Sequence, residues 1–349
     1  FCNLQVEPLM DFPMTHNAVD KLLTSERSID RLMLSVVVPA YNEEVVIEAF
    51  HQRLRSAVAP LGVRMEVVYV DDGSTDRTPA IIRHLKETDP TVGFIRFSRN
   101  FGKEVAVSAG LNHARGDVIV VIDADLQDPP ELIKSMIEAW CRGADVVNMR
   151  RSSRAGETAL KRMTAHLFYR IINRLSEVEI PEDVGDFRLL SRRAVDALNR
   201  MTERNRFMKG LFAWIGFQQE TLLYDRDARA AGTSKWPYWR LWKLAIEGVT
   251  GFSTAPLKIS LYFGFASAIV AFIALAYFLI KTWLIGDPVP GFPATIVTIL
   301  FLGGVQLASI GVLGEYVARL FIESKGRPLY LIDTYQPADI TLQDFKSTN

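Results

Sequence analysis

Val118–Pro130 reads VIVVIDADLQDPP, and its reading decides the fold class. Five apolar residues, all β-branched, run straight into Asp123, Ala124 and Asp125, and Asp128 then precedes two prolines. A run that is apolar at every position is a strand covered on both faces, because a strand with one wet face would alternate. Asp128 ahead of Pro129 and Pro130 marks a helix start, since the missing N–H of proline costs nothing in the first helical turn. The unit is strand, acidic turn, helix.

Short β-branched runs recur at Ser35–Val38, Glu66–Val70, Val92–Phe97 and Asp145–Met149, with helix-length segments between them. Asp76, or Thr78 with Pro79, opens one of those helices. Such alternation predicts an α/β fold with a Rossmann-like, mainly parallel sheet covered by helices. In open sheets of this kind the ligand crevice lies beyond the carboxyl ends of the strands. Polar motifs stand at three of those ends.

Composition excludes several function classes. Forty basic and forty acidic residues cancel, so no global field draws the chain to nucleic acid. Cys2 and Cys141 are far apart and lack metal-ligand or CxxC spacing, so neither a disulfide framework nor a zinc site is expected, and a reducing setting fits. Residues 1–31 carry no long apolar core behind a basic flank and do not read as a signal peptide; they form an N-terminal extension.

The apolar residues pile up late in the chain. Ile259–Ile280 is an uncharged run of 22 residues, about 33 Å as a helix and enough to cross a bilayer core. Pro288–Gly314 is also uncharged, with the helix proper expected from near Ala294 after three prolines. The short connection Gly286–Phe292 makes a two-helix transmembrane hairpin over residues 257–320. Lys243, Lys258, Arg319, Lys325 and Arg327 flank its outer ends, whereas Lys281 alone lies near the turn. The positive-inside bias therefore puts both ends, and the domain at residues 32–234, in the cytoplasm. Residues 235–256 interleave Trp236, Tyr238, Trp239 and Trp242 with Lys235, Arg240 and Lys243, as suits a helix at headgroup level or one docking the two parts. Residues 321–349 remain as a cytoplasmic tail.

Chemistry concentrates in the strand-end turns. Asp123 and Asp125 can present oxygens to one hard divalent cation, which can bridge the oxygens of a diphosphate. In the turn Asp71, Asp72, Gly73, Ser74, a carboxylate can accept the N–H groups of uracil or guanine; the same string also suits a helix N-cap. The turn Pro39, Ala40, Tyr41, Asn42, Glu43 offers a ring to stack on a base and a carboxylate for ribose or base, or simply begins a helix.

Taken together, SVVVPAYNEE (Ser35–Glu44), DDGS (Asp71–Ser74) and IDADLQDPPE (Ile122–Glu131) resemble family 2 glycosyltransferases of the GT-A fold. SRNFGKEVAVSAG (Ser98–Gly110), GDFRLLSR (Gly185–Arg192) and the paired C-terminal spans narrow the likeness to bacterial polyprenyl-phosphate glycosyltransferases of the GtrB type, relatives of dolichol-phosphate mannose synthase. The likeness covers Leu34–Ile332.

That resemblance implies a cytoplasmic GT-A domain at the bacterial plasma membrane. Asp72 would contact the base with Pro39, Tyr41 and Glu43, and Lys103 would belong to the donor site. Asp123, Asp125 and Gln127 would hold Mg²⁺ or Mn²⁺ on the donor diphosphate. Arg229, Ser234 and Lys235, with Gly232, match a mobile loop that closes over the phosphates. Arg150, Lys161 and Arg162 would receive the acceptor phosphate, although Leu160–Leu175 also has the pattern of an ordinary amphipathic helix with a solvated basic side. Asp125, Asp186 and Arg150 form the expected catalytic set, with Asp186 orienting acceptor or sugar or serving as a structural acceptor.

The implied partners are a nucleotide sugar, a polyprenyl phosphate and the bilayer, with a homotetramer as the assembly. UDP-glucose is the expected donor, with GDP-mannose and a UDP-N-acetylhexosamine as the alternatives. A processive synthase would add a QxxRW motif and more spans, neither of which occurs. A silent nucleotide-sugar-binding scaffold is the rival of another class, and the joint presence of Asp72, Asp123, Asp125, Gln127 and Lys235 argues against it.

Overall fold

A computed structural model describes residues 27–29, 31–152, 184–204, 206, 208–225, 255–285 and 292–340. The Leu160–Leu175 helix, the headgroup-level segment, most of the N-terminal extension, and Lys161, Arg162, Arg229, Ser234 and Lys235 lie outside the described residues.

Five strands follow the expected runs: β1 (Met33–Ala40), β2 (Arg64–Asp71), β3 (Val92–Phe97), β4 (Val118–Val121) and β5 (Val146–Arg151). Among them run α1 (Ile47–Val58), α2 (Thr78–Thr88), α3 (Lys103–His113) and α4 (Ile133–Cys141). Then come β6 (Val184–Ser191), α5 (Arg192–Arg200), α6 (Met208–Trp214), β7 (Gln219–Tyr224), the long helices α7 (Ala255–Ile285) and α8 (Phe292–Ser324), and a final strand β8 (Ile332–Gln336).

All eight strands join one sheet in the order β7-β5-β6-β4-β1-β2-β3-β8. The pairs β1–β2, β1–β4, β2–β3 and β5–β7 are parallel, which makes the centre of the sheet the expected parallel one. Three antiparallel pairs, β4–β6, β5–β6 and β3–β8, complete it. Val36, Val37 and Val38 are all fully buried, as a strand with two dry faces requires. Val36 and Val38 pack with Phe50, Leu54, Ile82 and Met136 on one face. Val37 packs with Ala106, Leu111, Leu198 and Leu211 on the other. Each such side chain contributes about 1.5–3 kcal/mol through burial. Gly110 lets α3 lie this close to β1, since a Cβ there would fall 2.2 Å from Val37 Cγ1.

The stretch read as a tail contains β8, which covers the edge of β3. Asp339 N–H donates to Pro90 O at 2.8 Å, and Lys86 and Arg115 donate to the carbonyls of Pro337 and Ala338, each at 2.7 Å. An uncovered edge strand would leave its N–H and C=O groups open to another chain. After Asp128 the chain first makes a 3₁₀ turn over Pro130–Leu132, so α4 begins later than the prolines.

Helices α7 and α8 hold 31 and 33 residues and pack against each other. Their most apolar windows, Pro256–Ala274 and Phe301–Ser324, have mean hydropathies of 1.9 and 1.4 and are not buried by the rest of the chain. A buried core helix would have its apolar side chains covered; here Leu261, Phe272 and Leu307 are each about 70% exposed. By length and composition both helices can cross a bilayer.

Candidate active site

The acidic turn after β4 is tightly built. Leu126 takes a positive φ of 60°, and Asp125 Oδ1 accepts the Gln127 N–H at 3.1 Å. Asp128 is buried and accepts the hydroxyl of Tyr224, the last residue of β7, at 2.5 Å. Within this turn Asp123 Oδ1 and Gln127 Oε1 are buried without a hydrogen-bond donor. Two orphaned acceptors in one turn suit a hard cation, which needs oxygens and supplies no competing donor. Among the described residues no group of three His, Cys, Asp or Glu side chains converges at metal-binding spacing.

Opposite this turn stands Asp186. In the β4–β6 ladder Val121 pairs with Arg188, and continuing that antiparallel register sets Asp186 across from Asp123. Two carboxylates so placed repel each other. Lys103, at the start of α3, resolves the repulsion: its Nζ donates to Asp123 Oδ2 at 2.7 Å and to Asp186 Oδ2 at 2.5 Å. Burial opposes charge on all three groups. Even so, Lys103 holds the Asp186 carboxyl well below the usual range, and the two carboxylates hold the ammonium far above its own. Asp123 is raised, burial outweighing its lysine partner. The three side chains are 45%, 22% and 35% exposed for Lys103, Asp123 and Asp186, so water screens the triad and its role is placement more than stability.

Behind it lies a second charged layer. Glu104 accepts the Met208 N–H at 3.1 Å, and burial, reinforced by the nearby Asp186 charge, pushes its carboxyl up to about 7. Burial likewise lowers the Arg188 guanidinium to about 10, and that group stacks 3.9 Å from the centre of the Phe212 ring.

The DDGS turn holds the chain that leads to Lys103. Asp72 is buried, and its two oxygens accept the N–H groups of Phe101 at 2.6 Å and Gly102 at 2.9 Å. Burial pushes its carboxyl up while these two N–H groups pull it back. Gly73, at φ +69°, lies against the Arg99–Asn100 peptide, where a Cβ would come within 2.4 Å of the Arg99 carbonyl carbon. Asp71 is fully buried beside Arg96. At the neighbouring strand end Pro39 is buried in β1, Tyr41 is 44% exposed, and Asn42 adopts φ 56° with its side chain accepting the Thr75 N–H. The Glu43 N–H donates to Thr78 Oγ1 at 2.8 Å, tying this turn to α2.

The fold thus brings Lys103, Asp123 and Asp186 into direct contact, with Asp125 and Gln127 in the same turn as Asp123. Asp72 reaches this group only through the backbone of Phe101 and Gly102. Arg150 is exposed on β5 and pairs with Val184, two residues before Asp186. Sequence reading missed Glu104, Arg188 and Tyr224. Glu104 and Arg188 lie inside quoted motifs, next to Lys103 and two residues from Asp186, a signal that was available. Tyr224 carried none.

An α/β sheet with an acidic strand-end turn, a lysine-bridged carboxylate pair and an apolar C-terminal hairpin defines a nucleotide-sugar-transferase class of site. The profile of glycosyl transferase family 2 matches residues 35–198, and that of the GtrB C-terminal hairpin matches residues 255–320. The bactoprenol glucosyl transferase of Shigella phage SfV is 48% identical over 301 residues, covering 86% of this chain and 98% of the relative. The prophage bactoprenol glucosyl transferase homolog of Escherichia coli K12 gives the same identity and coverage. An uncharacterized glycosyltransferase of Synechocystis sp. is 46% identical over 302 residues, covering 86% of this chain and 94% of the relative. The chain belongs to the family 2 glycosyltransferases, with a GtrB-type hairpin, and has the GT-A fold.

Proposed function

We propose that the enzyme transfers glucose from UDP-glucose to a polyprenyl phosphate at the cytoplasmic face of the bacterial plasma membrane, with inversion at the anomeric carbon. The observation that carries this reading is the Lys103 bridge between Asp123 and Asp186 at the carboxyl end of the sheet, in a chain that also carries two bilayer-length helices. The relatives named for glucosyl transfer to bactoprenol support the sugar and the lipid.

A phosphate monoester is largely dianionic at neutral pH, so the acceptor needs no general base. Its oxygen forms the new bond to C1 as the C1–O bond to the nucleoside diphosphate breaks, and the bonding pair leaves with the diphosphate. Two anionic reactants must meet, so positioning and charge relief are the main contributions. Lys103 faces the donor diphosphate, Arg150 the acceptor phosphate, and Asp186 fixes Lys103. Tyr41, Pro39, Glu43 and the Asp72 turn line the nucleoside side. Asp123, Asp125 and Gln127 would hold Mg²⁺ or Mn²⁺, which would supply charge neutralisation at the diphosphate; the orphaned oxygens of Asp123 and Gln127 fit that role.

The test is to incubate the purified enzyme with undecaprenyl phosphate, either metal, and UDP-glucose, GDP-mannose or UDP-N-acetylhexosamine, and to read the lipid by mass spectrometry. One hexose added from UDP-glucose is the expected result. A product from GDP-mannose alone would replace the donor, and no lipid product with any donor would end the proposal.

A further inference from the structure

The segment after α8 lies beyond the matched hairpin yet touches the active-site chain. Glu323 accepts the Arg204 N–H at 2.8 Å, which ties the end of α8 to the loop after α5. Gly326 then turns the chain at φ +62°, and Tyr330 lays its ring on Phe97, the last residue of β3, with centroids 5.0 Å apart and planes 18° apart. Phe97 in turn meets Phe101 edge-on at 5.7 Å. The next strap residue, Leu331, accepts the Ser98 N–H at 3.0 Å. Asn112 of α3 donates to the Tyr330 hydroxyl at 3.3 Å. Between Arg96 and Phe97 the β3–β8 register shifts, a bulge of the kind that redirects a strand end.

The turn Ser98–Gly102 is therefore gripped from two sides. Asp72 and Gly73 hold its inner side, and the strap holds its start directly, at Ser98, and its aromatic side chain Phe101 through Phe97. Lys103 is the next residue.

We infer that Tyr330 is a positioning residue: through Phe97 and Phe101 the C-terminal strap fixes the turn that aims Lys103 at Asp123 and Asp186, so the end of the second membrane helix and the transfer site are mechanically joined. This inference rests on the proposed glucosyl transfer. A generic contribution to sheet stability is the alternative, and Tyr335 separates the two. It sits on the same strap, in β8, but packs on His113 at 4.8 Å and makes no ring contact with Phe97 or Phe101.

The experiment compares full-length Tyr330→Ala, Tyr330→Phe and Tyr335→Ala in nanodiscs. It measures kcat and KM for UDP-glucose, folded fraction, and hydrogen exchange across residues 98–104. A ring displaced from this stack misplaces a phosphate-facing cation, an effect of about ten- to a hundredfold on rate. Tyr330→Ala is expected to lose that much kcat and the exchange protection of the turn while staying folded. Tyr330→Phe, which keeps the stack, and Tyr335→Ala should stay within about twofold, the scale of a few tenths of a kcal/mol. Equal losses in Tyr330→Ala and Tyr335→Ala, retained turnover and protection in Tyr330→Ala, or a loss matching its unfolded fraction would overturn the inference. A wild-type enzyme inactive with every donor would sink the proposed function instead, while hydrogen exchange would still decide the positioning claim.

Discussion

Asp186 on β6 and Asp123, in the turn after β4, are joined through one ammonium, that of Lys103, which lies within hydrogen-bond reach of both. Asp186→Asn keeps the shape and removes one of the two charges that fix the lysine. Turnover should fall by about a hundredfold, as for loss of one preorganised electrostatic group, with little change in apparent Tm because the triad is part-exposed. Steady-state kinetics alongside a thermal melt check this, and wild-type turnover would remove Asp186 from the site.

Asp125→Ala tests the acidic turn itself. The substitution removes a carboxylate and the acceptor for the Gln127 N–H. Transfer should become undetectable while membrane insertion persists, and Mn²⁺ binding measured by calorimetry in the presence of UDP should weaken at least about tenfold. Normal turnover in this variant would refute the metal assignment.

Gly73→Ala probes the grip on the Lys103 turn. A left-handed φ costs a non-glycine residue about 1–2 kcal/mol, and here a methyl group would also press on the Arg99–Asn100 backbone. Apparent Tm should drop and activity fall with it. A melt indistinguishable from wild type would mean that the turn has room the packing does not show.

Much of this arrangement was legible in the chain. Five buried strands announced themselves by nearly continuous apolar runs, and Asp123, Asp125 and Gln127 by following one of them. The pairing of Asp186 with Asp123 was not legible, because an antiparallel neighbour is chosen by the whole sheet and GDFRLLS has no turn signal to say which strand it joins. β8 was hidden for a related reason. Its strand, IDTYQ, is short and half polar, and only the open edge of β3 makes it a strand. Asp72 shows a subtler gap: the motif says that a carboxylate is needed, and the fold shows both oxygens engaged by backbone N–H groups of the next loop.

Glu104 gives a pH signature. Its carboxyl is pushed from 4.5 up to about 7, by burial first and by Asp186 next, against the pull of the Met208 N–H, Lys103 and Lys209, with Arg188 also in the layer. A carboxyl raised on folding binds more protons in the native state between those values, so its contribution is complete below about 4.5 and is lost as pH rises through about 7. Glu104→Gln keeps an acceptor for the Met208 N–H and removes the charge. Its apparent Tm should exceed wild type by about 2–4 °C at pH 8, the shift that roughly 1 kcal/mol produces in a domain of about 150–250 residues, and should match wild type near pH 5. A gain at pH 5 with none at pH 8 would contradict the assignment.

Tyr224 is the contact that ties the far edge of the sheet to the acidic turn. Its hydroxyl donates to Asp128 Oδ1 at 2.5 Å, and burial together with the Asp128 charge keeps the phenol protonated far above neutral pH. Its ring also meets Phe187 edge-on at 6.1 Å, a contact that phenylalanine would retain. Tyr224→Phe therefore isolates the hydroxyl. Removing a donor from a buried carboxylate costs about 1–3 kcal/mol, so the melt should fall by several degrees. Asp128 closes the turn that carries Asp123 and Gln127, so the Mn²⁺ concentration for half-maximal rate should rise several-fold, with turnover largely recovered at saturating metal. A variant that melts lower yet shows unchanged metal dependence would confine Tyr224 to stability and break the proposed link between β7 and the donor site.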